Sequence, residues 1–165
     1  MKKAPGSAGV LLFRHTGDAL DVLLARPGGP YWRSKDVGAW QIPKGAIEVG
    51  EAPVEAALRE AEEELGFRPQ GELLPLGQLR QAGGKLVEAF AVEAMFDPAQ
   101  LVSNSFEMEW PPRSGRRERF PELEEVRWFG LDAARAMILP SQLPFLDRLA
   151  DLFPHVAGDD RPASL

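Results

Sequence analysis

Three glutamates, Glu60, Glu63 and Glu64, lie close together in a segment whose apolar spacing predicts a helix. At 100° per residue, their side chains fall within about a 100° arc of that helix. Carboxylate oxygens on one helical face suit hard cations such as Mg²⁺ or Mn²⁺. Such cations can neutralise a diphosphate, orient it and activate a water. The alternative interpretation is a solvated acidic face with ordinary ion pairs.

The helix that carries these glutamates is predicted to run from about Ala52 to Leu65. Pro53 suits its first turn, and Gly66 suits a left-handed cap at its end. Glu64 is expected at the edge of the core, and the small Ala56 is expected to leave room above the carboxylates. The apolar stripe that faces the core consists of Val54, Ala57, Leu58, Ala61 and Leu65.

The glutamates belong to a longer pattern of fixed residue types at fixed spacing, made of Gly45, Glu51, Arg59, Glu60, Glu63, Glu64 and Gly66. At residue frequencies of roughly 5–10% each, a chance match in a chain this short is very improbable. The segment Gly45–Phe67 resembles the Nudix box of the Nudix hydrolases at every position that the pattern specifies. Ala61 is small where that family usually has a larger aliphatic residue, which affects helix packing more than chemistry.

This resemblance implies both a fold and a reaction. The fold is an α/β/α sandwich around a mixed sheet, with a loop-helix-loop motif. The reaction is hydrolysis of a nucleoside diphosphate linked to another group. By the same resemblance, the three glutamates would bind Mg²⁺ or Mn²⁺, with the Gly45 carbonyl as a further ligand. Arg59 would orient the carboxylates, and Glu51 would brace the junction between loop and helix.

The segment before the box narrows the expected substrate. Trp40-Gln41-Ile42-Pro43-Lys44-Gly45 is similar to the W-x-x-P-K-G segment of Nudix enzymes that act on dinucleoside polyphosphates or diphosphoinositol polyphosphates. Lys44 is a candidate phosphate contact, and Lys85 resembles a substrate-phosphate lysine of the same subfamily. Gly38 and Ala39 stand where the animal-type diadenosine tetraphosphate hydrolases have histidines. We expect a dinucleoside polyphosphate such as diadenosine tetraphosphate, cleaved to ATP and AMP.

Further substrate contacts are expected from aromatic and basic side chains. Tyr31 and Trp32 are candidates for stacking on a base, whereas Trp40 and Trp128 are expected in the core. A cluster of arginines is expected in a loop that could close over a polyphosphate; it comprises Arg113, Arg116, Arg117 and Arg119. The base that activates water is left open among four glutamates, Glu118, Glu122, Glu124 and Glu125.

Two other function classes remain open at this stage. One is a pyrophosphohydrolase that removes oxidised or non-standard nucleoside triphosphates. The other is a protein without catalysis, either a binding module with the Nudix fold or an interaction protein with an acidic helix.

The remaining elements are predicted from local patterns. Strands are expected over 7–14, 20–26, 73–80, 85–95, 103–110 and 125–129, with a short strand near Trp40–Ile42, and helices over 131–138 and 143–153. A single domain over 1–165 is expected, with an ordered core of about 5–153 and a loose tail from Ala157 to Leu165.

Composition limits the partners and the compartment. The 165 residues carry a formal net charge of −6, which argues against binding to duplex nucleic acid or an anionic membrane. With no cysteine and two histidines, disulfides, thiolate zinc sites and cysteine nucleophiles are excluded. No apolar run approaches the roughly 20 residues that cross a bilayer. We expect a cytoplasmic protein whose partner is a nucleotide.

Overall fold

Eight strands and three α-helices make up the fold in a computed structural model that describes residues 6–156, the side chain of Ala82 excepted. The strands are β1 Ser7–Thr16, β2 Ala19–Pro27, β3 Lys44–Ala46, β4 Leu73–Arg80, β5 Leu86–Glu93, β6 Ser105–Glu109, β7 Arg117–Pro121 and β8 Leu123–Gly130. The helices are α1 Pro53–Leu65, α2 Leu131–Met137 and α3 Leu143–Leu152.

Six of the strands form one mixed sheet in the order β4-β5-β1-β2-β8, with β3 paired to β1. β1 lies parallel to β5 and antiparallel to β2 and β3. β1 and β2 form the hairpin predicted from the sequence. Their middles are buried on both faces, which explains why they are nearly continuous apolar runs.

Helices cover both faces of this sheet. On one face α1 packs through Ala57, Ala61 and Leu65 against a cluster that includes Trp128. On the other face α3 packs with α2 against a second cluster, which includes Trp40 and Phe145. The predicted α/β/α sandwich is therefore confirmed, and both tryptophans lie in the core as expected.

The buried side of α1 is built mainly from alanine. Ala56, Ala57 and Ala61 are all fully buried, so the helix lies close to the sheet. The expectation that Ala56 leaves room above the carboxylates is wrong, because this side chain packs into the core. Since α1 sits so near the sheet, its acidic face is brought next to β3.

Two segments differ from the sequence prediction. The short strand is β3 at Lys44–Ala46, whereas Trp40 and Gln41 make only isolated bridges, to Ile138 and Ala25 respectively. Their backbones serve two different partners and cannot extend one ladder. The predicted arginine-rich loop is partly strand β7, which pairs with β6 in a separate two-stranded ribbon.

The base of this ribbon is fixed to the end of α1. The Val102 amide donates to the Leu65 carbonyl and the Asn104 amide to the Glu63 carbonyl, both at 3.3 Å. These bonds satisfy carbonyls that a helix end leaves without partners. Gly66 makes the approach feasible: its φ is +73°, and a Cβ there would lie 2.9 Å from Val102.

The structure describes only part of the range over which a domain and a tail are predicted. The predicted loose tail over 157–165 lies outside the described residues, and the single domain over 1–165 stays a prediction. Among the residues that the structure describes, no helix is both long and apolar enough to cross a membrane.

We predict that Gly66→Ala lowers the free energy of unfolding by about 2–3 kcal/mol, from the left-handed backbone together with the clash with Val102. The control is Gly17→Ala, because Gly17 also has a positive φ but a Cβ there meets nothing within 4 Å. This control is expected to cost only about 1 kcal/mol. Urea denaturation measures both, and equal losses would show that the approach of Val102 has no energetic weight.

Candidate active site

Arg59 is the centre of the acidic face of α1. Its Nε and Nη2 donate to the two Glu51 oxygens at 2.8 and 2.9 Å, a bidentate pair that ties the preceding loop to the helix. Its Nη1 donates to Glu60 at 2.9 Å and to Glu63 at 3.3 Å. A further bond joins Nη2 to the Ala46 carbonyl at 2.9 Å. One guanidinium thus orders three carboxylates and the end of β3.

The electrostatics of the Arg59–Glu51 pair follow from this geometry. Hydrogen bonds from Arg59, with a further one from the Glu48 amide, lower the pKa of Glu51 to about 2. The same pairing raises the pKa of Arg59 above its ordinary value. Both groups remain charged at neutral pH, which suits the bracing role expected from the sequence.

Glu60 lies against the backbone of Gly45. A Cβ at Gly45 would overlap the Glu60 carboxyl group, so only glycine leaves space for this approach. Partial burial raises the pKa of Glu60 in spite of the bond to Arg59, and the charges of Glu63 and Glu122 add to the rise. The Glu60 carboxyl group therefore lies between β3 and α1, beside Gly45. The Gly45 carbonyl is the further metal ligand that the Nudix resemblance implies.

Glu64 is the most perturbed carboxyl group of the cluster. Burial, followed by the charges of Glu60 and Glu122, raises its pKa to about 8. Lys44 opposes the rise through its charge and its backbone amide. The prediction that Glu64 lies at the edge of the core agrees with its half-buried position.

A cleft of about 230 Å³ opens beside Glu64. Glu64, Glu122 and Lys44 supply its charged walls, and Trp32 closes one side. The remaining lining comes from the end of β2, the segment before β3 and the start of β8, namely Ala25, Pro27, Gln41, Ile42 and Leu123. A cation and two acids around one small volume suit a phosphate group together with its counterions.

The two candidate phosphate lysines lie on the same side of the molecule. Burial lowers the pKa of Lys44, and the charge of Lys85 lowers it further, whereas Glu64 and Glu60 raise it. Lys85 is exposed just before β5, and its charge acts on Lys44. Lys44 therefore lies near the acidic face of α1, and Lys85 lies near Lys44.

The two aromatic candidates are placed differently. Trp32 lines the cleft, whereas Tyr31 is 70% exposed and does not line it. The Tyr31 ring packs edge-on against Trp32 at 5.1 Å between centroids, and the Lys35 ammonium lies 4.7 Å from the Tyr31 ring centre. Tyr31 is thus positioned to support Trp32 from outside.

The arginine cluster does not act as one unit. Arg117 and Arg119, on β7, form ion pairs with Glu107 of β6 at 3.5 and 3.0 Å. Arg113 and Arg116 lie in the exposed turn of the ribbon and have no acidic partner in the described part of the chain. Neither of them lines the cleft beside Glu64, so their contact with substrate stays a prediction.

The sequence left four glutamates open as the base that activates water: Glu118, Glu122, Glu124 and Glu125. Of these, only Glu122 lines the cleft with Glu64, and its amide donates to the Asn104 carbonyl at 2.7 Å. Glu118 is exposed on the ribbon, and Glu125 pairs with arginines. The sequence holds no local signal that places Glu122 in the cleft, because its position is set by the base of the ribbon.

The acidic cluster fits a hard divalent cation. Within the described residues, no three His, Asp or Glu side chains already converge on one point as a metal cage. The donor set is nevertheless right in kind: several carboxylates share one face, and burial first, then the charges of neighbouring glutamates, raises the pKa values of Glu60 and Glu64. The Glu60 carboxyl group also lies directly against the Gly45 backbone. Added positive charge would relieve the repulsion among these carboxylates.

Comparison with protein families gives a match to the model described as NUDIX domain, over residues 3–149. An RNA pyrophosphohydrolase of Francisella tularensis subsp. mediasiatica (strain FSC147) is 40% identical over 50 residues, which are 30% of this chain and 32% of that protein. The chain thus spans about a third of the length of that curated relative.

Two solved structures are similar in fold. A C. elegans Ap4A hydrolase, solved as a binary complex, matches with a TM-score of 0.64 and 18% identity, covering 90% of this chain and 98% of that one. The NUDIX domain of Shewanella oneidensis NrtR, complexed with ADP ribose, matches with a TM-score of 0.62 and 16% identity, covering 92% and 90%. At these identities the likeness concerns the fold.

We predict that Glu51→Gln lowers the urea midpoint of unfolding at pH 7 in metal-free buffer, because the bidentate ion pair with Arg59 is lost. Glu51 has a depressed pKa, so its stabilisation is present above the unfolded value of 4.5 and declines as pH falls towards about 2. The gap between wild type and variant should therefore narrow from pH 5 to pH 3.5.

The matched control for this prediction is Glu48→Gln, since Glu48 is exposed and reaches Arg59 only at 3.9 Å. This variant should change the midpoint little at any pH. A gap for Glu51→Gln that stays constant with pH would contradict an origin in the charge of Glu51.

Proposed function

Because the chain belongs to the NUDIX domain family, we propose that it is a metal-dependent hydrolase of a diphosphate bond in a nucleoside diphosphate derivative. The observation that carries the proposal is the cleft in which Lys44, Glu64 and Glu122 face one volume beside the Arg59 cluster. A non-catalytic binding module would have no need for so many carboxylates at this cost in repulsion.

Mg²⁺ or Mn²⁺ would be held by Glu60, Glu63 and Glu64, with the Gly45 carbonyl as a further ligand. When bound, the cation supplies positive charge for the diphosphate and makes a water more acidic. Arg59 acts as a positioning residue, because it holds Glu60 and Glu63 in place through its bonds and does not line the cleft.

The chain's own groups then divide the reaction between them. Lys44 binds a phosphate oxygen in the cleft and stabilises the charge that develops on the leaving oxygen. Glu122 takes the proton of the attacking water as the new phosphorus–oxygen bond forms and the bridging phosphorus–oxygen bond breaks. Trp32 stacks on a nucleobase, and Lys85 holds a phosphate further along the polyphosphate of the substrate.

The preferred substrate is a dinucleoside polyphosphate such as diadenosine tetraphosphate. The W-x-x-P-K-G segment, the paired lysines and the fold shared with the C. elegans Ap4A hydrolase support this choice. Binding of the polyphosphate to one side of the metal site makes cleavage asymmetric. The partner is a small nucleotide, with no contact to duplex nucleic acid or membrane, and the reaction takes place in the cytoplasm.

Two other substrates are alternatives to the dinucleoside polyphosphate. The 50-residue match to an RNA pyrophosphohydrolase favours a pyrophosphate bond in an RNA as a second candidate. An oxidised nucleoside triphosphate is the remaining alternative from the sequence. A panel of the three substrates with Mg²⁺, with products resolved by mass, ranks them directly.

We predict that Glu64→Gln lowers kcat by about 100-fold or more at saturating Mg²⁺, because an amide is a far weaker ligand for a hard cation. Glu62→Gln is the matched control, since Glu62 lies on the same helix but is exposed and pairs with Arg68 at 3.6 Å. The control should keep wild-type turnover. Near-normal activity of Glu64→Gln, with both proteins folded by circular dichroism, would remove Glu64 from the site.

We further predict that diadenosine tetraphosphate yields ATP and AMP. In ¹⁸O-labelled water the label should enter a phosphate of one product and never a ribose oxygen, because water attacks phosphorus. Two ADP molecules as products would contradict asymmetric binding. Faster turnover of the RNA or of the oxidised triphosphate would promote that substrate.

A further inference from the structure

A second cleft, of about 210 Å³, lies next to the one beside Glu64. The two clefts share Pro27 as a lining residue, so they are adjacent. Trp32 faces the first cleft, and the following residue, Arg33, faces the second. The rest of the second cleft is formed by Arg26, Gly29, Phe120 and Glu124.

Positive charge distinguishes this second cleft in a chain whose net charge is −6. Arg33 is exposed and forms no ion pair with an acidic residue within the described range, Glu124 included. Its five N–H donors are therefore available to a ligand.

Arg26 is fixed in place but is only weakly neutralised. The Glu125 carboxylate bonds Arg127 at 2.9 Å and reaches Arg26 at 3.4 Å, so one negative charge is shared by two guanidiniums. The Trp40 ring lies 5.9 Å from the Arg26 Cζ and 5.0 Å from that of Arg127, which supports both side chains. The charged residues that line the second cleft are Arg26, Arg33 and Glu124, so the cleft carries one positive charge in excess.

We propose that this second cleft, lined by Arg26 and Arg33, is an anion subsite for the phosphates of the substrate that extend beyond the cleaved bond. Guanidinium groups match phosphate oxygens in a bidentate geometry. Phe120 is almost fully buried, so the subsite offers charge and no stacking surface. It selects compounds with additional phosphates over simple diphosphates. This inference rests on the proposed hydrolase function.

Arg33→Gln tests the subsite, since this exposed side chain can be changed without breaking an ion pair. The matched control is Arg135→Gln on α2, which removes the same charge from exposed pairs with Asp132 and Asp147. Two measurements are made on each protein: the KM for diadenosine tetraphosphate with Mg²⁺, and the calorimetric Kd of inorganic tripolyphosphate without metal. Arg33→Lys, which keeps the charge but not the fork, is added to both.

The expected result for Arg33→Gln is a rise of about fivefold in both KM and Kd, the effect of one partly exposed charged contact. Arg33→Lys should fall between this variant and wild type, and Arg135→Gln should match wild type. An unchanged Kd for Arg33→Gln overturns the subsite, whatever happens to KM, as does wild-type protein that does not bind tripolyphosphate.

The two proposals fail in different ways. If the wild-type protein does not hydrolyse diadenosine tetraphosphate but binds tripolyphosphate in an Arg33-dependent manner, the proposed substrate is wrong and the subsite stands. If hydrolysis is normal and Arg33→Gln changes neither constant, the hydrolase assignment stands and the subsite is wrong.

Discussion

The guanidinium of Arg59 bonds to Glu51, Glu60 and Glu63 and to the carbonyl of Ala46. Without it, these carboxylates would repel one another across the junction of loop, strand and helix. Lysine could not replace it, because only the planar fork reaches a bidentate partner on one side and single oxygens on the other. The Arg59 guanidinium thus fixes the carboxylates beside which the other acids of the site, Glu64 among them, are placed.

Close backbone approaches let α1 and its carboxylates lie against the sheet. The missing side chain of Gly45 lets the Glu60 carboxyl group lie on β3, and the small alanines of α1 let the whole helix sit near β1. At the other end, Gly66 admits the chain that leads to the ribbon. The acidic face is therefore flanked by two glycines whose roles are steric.

The sequence predicted those parts of the fold that depend on local pattern. The β1–β2 hairpin, helix α1 and the core positions of Trp40 and Trp128 follow from apolar spacing and turn residues. The resemblance to the Nudix family is confirmed by the family match over residues 3–149. The predicted short strand near Trp40–Ile42 was wrong, because Trp40 and Gln41 bridge two different segments and the strand is β3. The predicted open space at Ala56 was also wrong, because this residue lies between the polar and apolar arcs of α1 and is buried.

Other features depend on contacts between distant segments. β7 has charged residues on both faces because the ribbon is exposed, so Arg117–Pro121 lacks the alternation that marks a strand. Glu122 could not be chosen from its neighbours, since its place beside Glu64 depends on a bond to Asn104. The second cleft joins loop residues to β7, a pairing that no local pattern encodes.

The bonds from Val102 and Asn104 to the last carbonyls of α1 have a dynamic consequence. Fraying of the helix end would break them, and Glu122 is bonded to the same Asn104. Loss of helical order at Glu63 would thus loosen Glu122 as well. We therefore expect the acidic turn and the opposite wall of the cleft to unfold locally as one cooperative unit, with amides that exchange with solvent together.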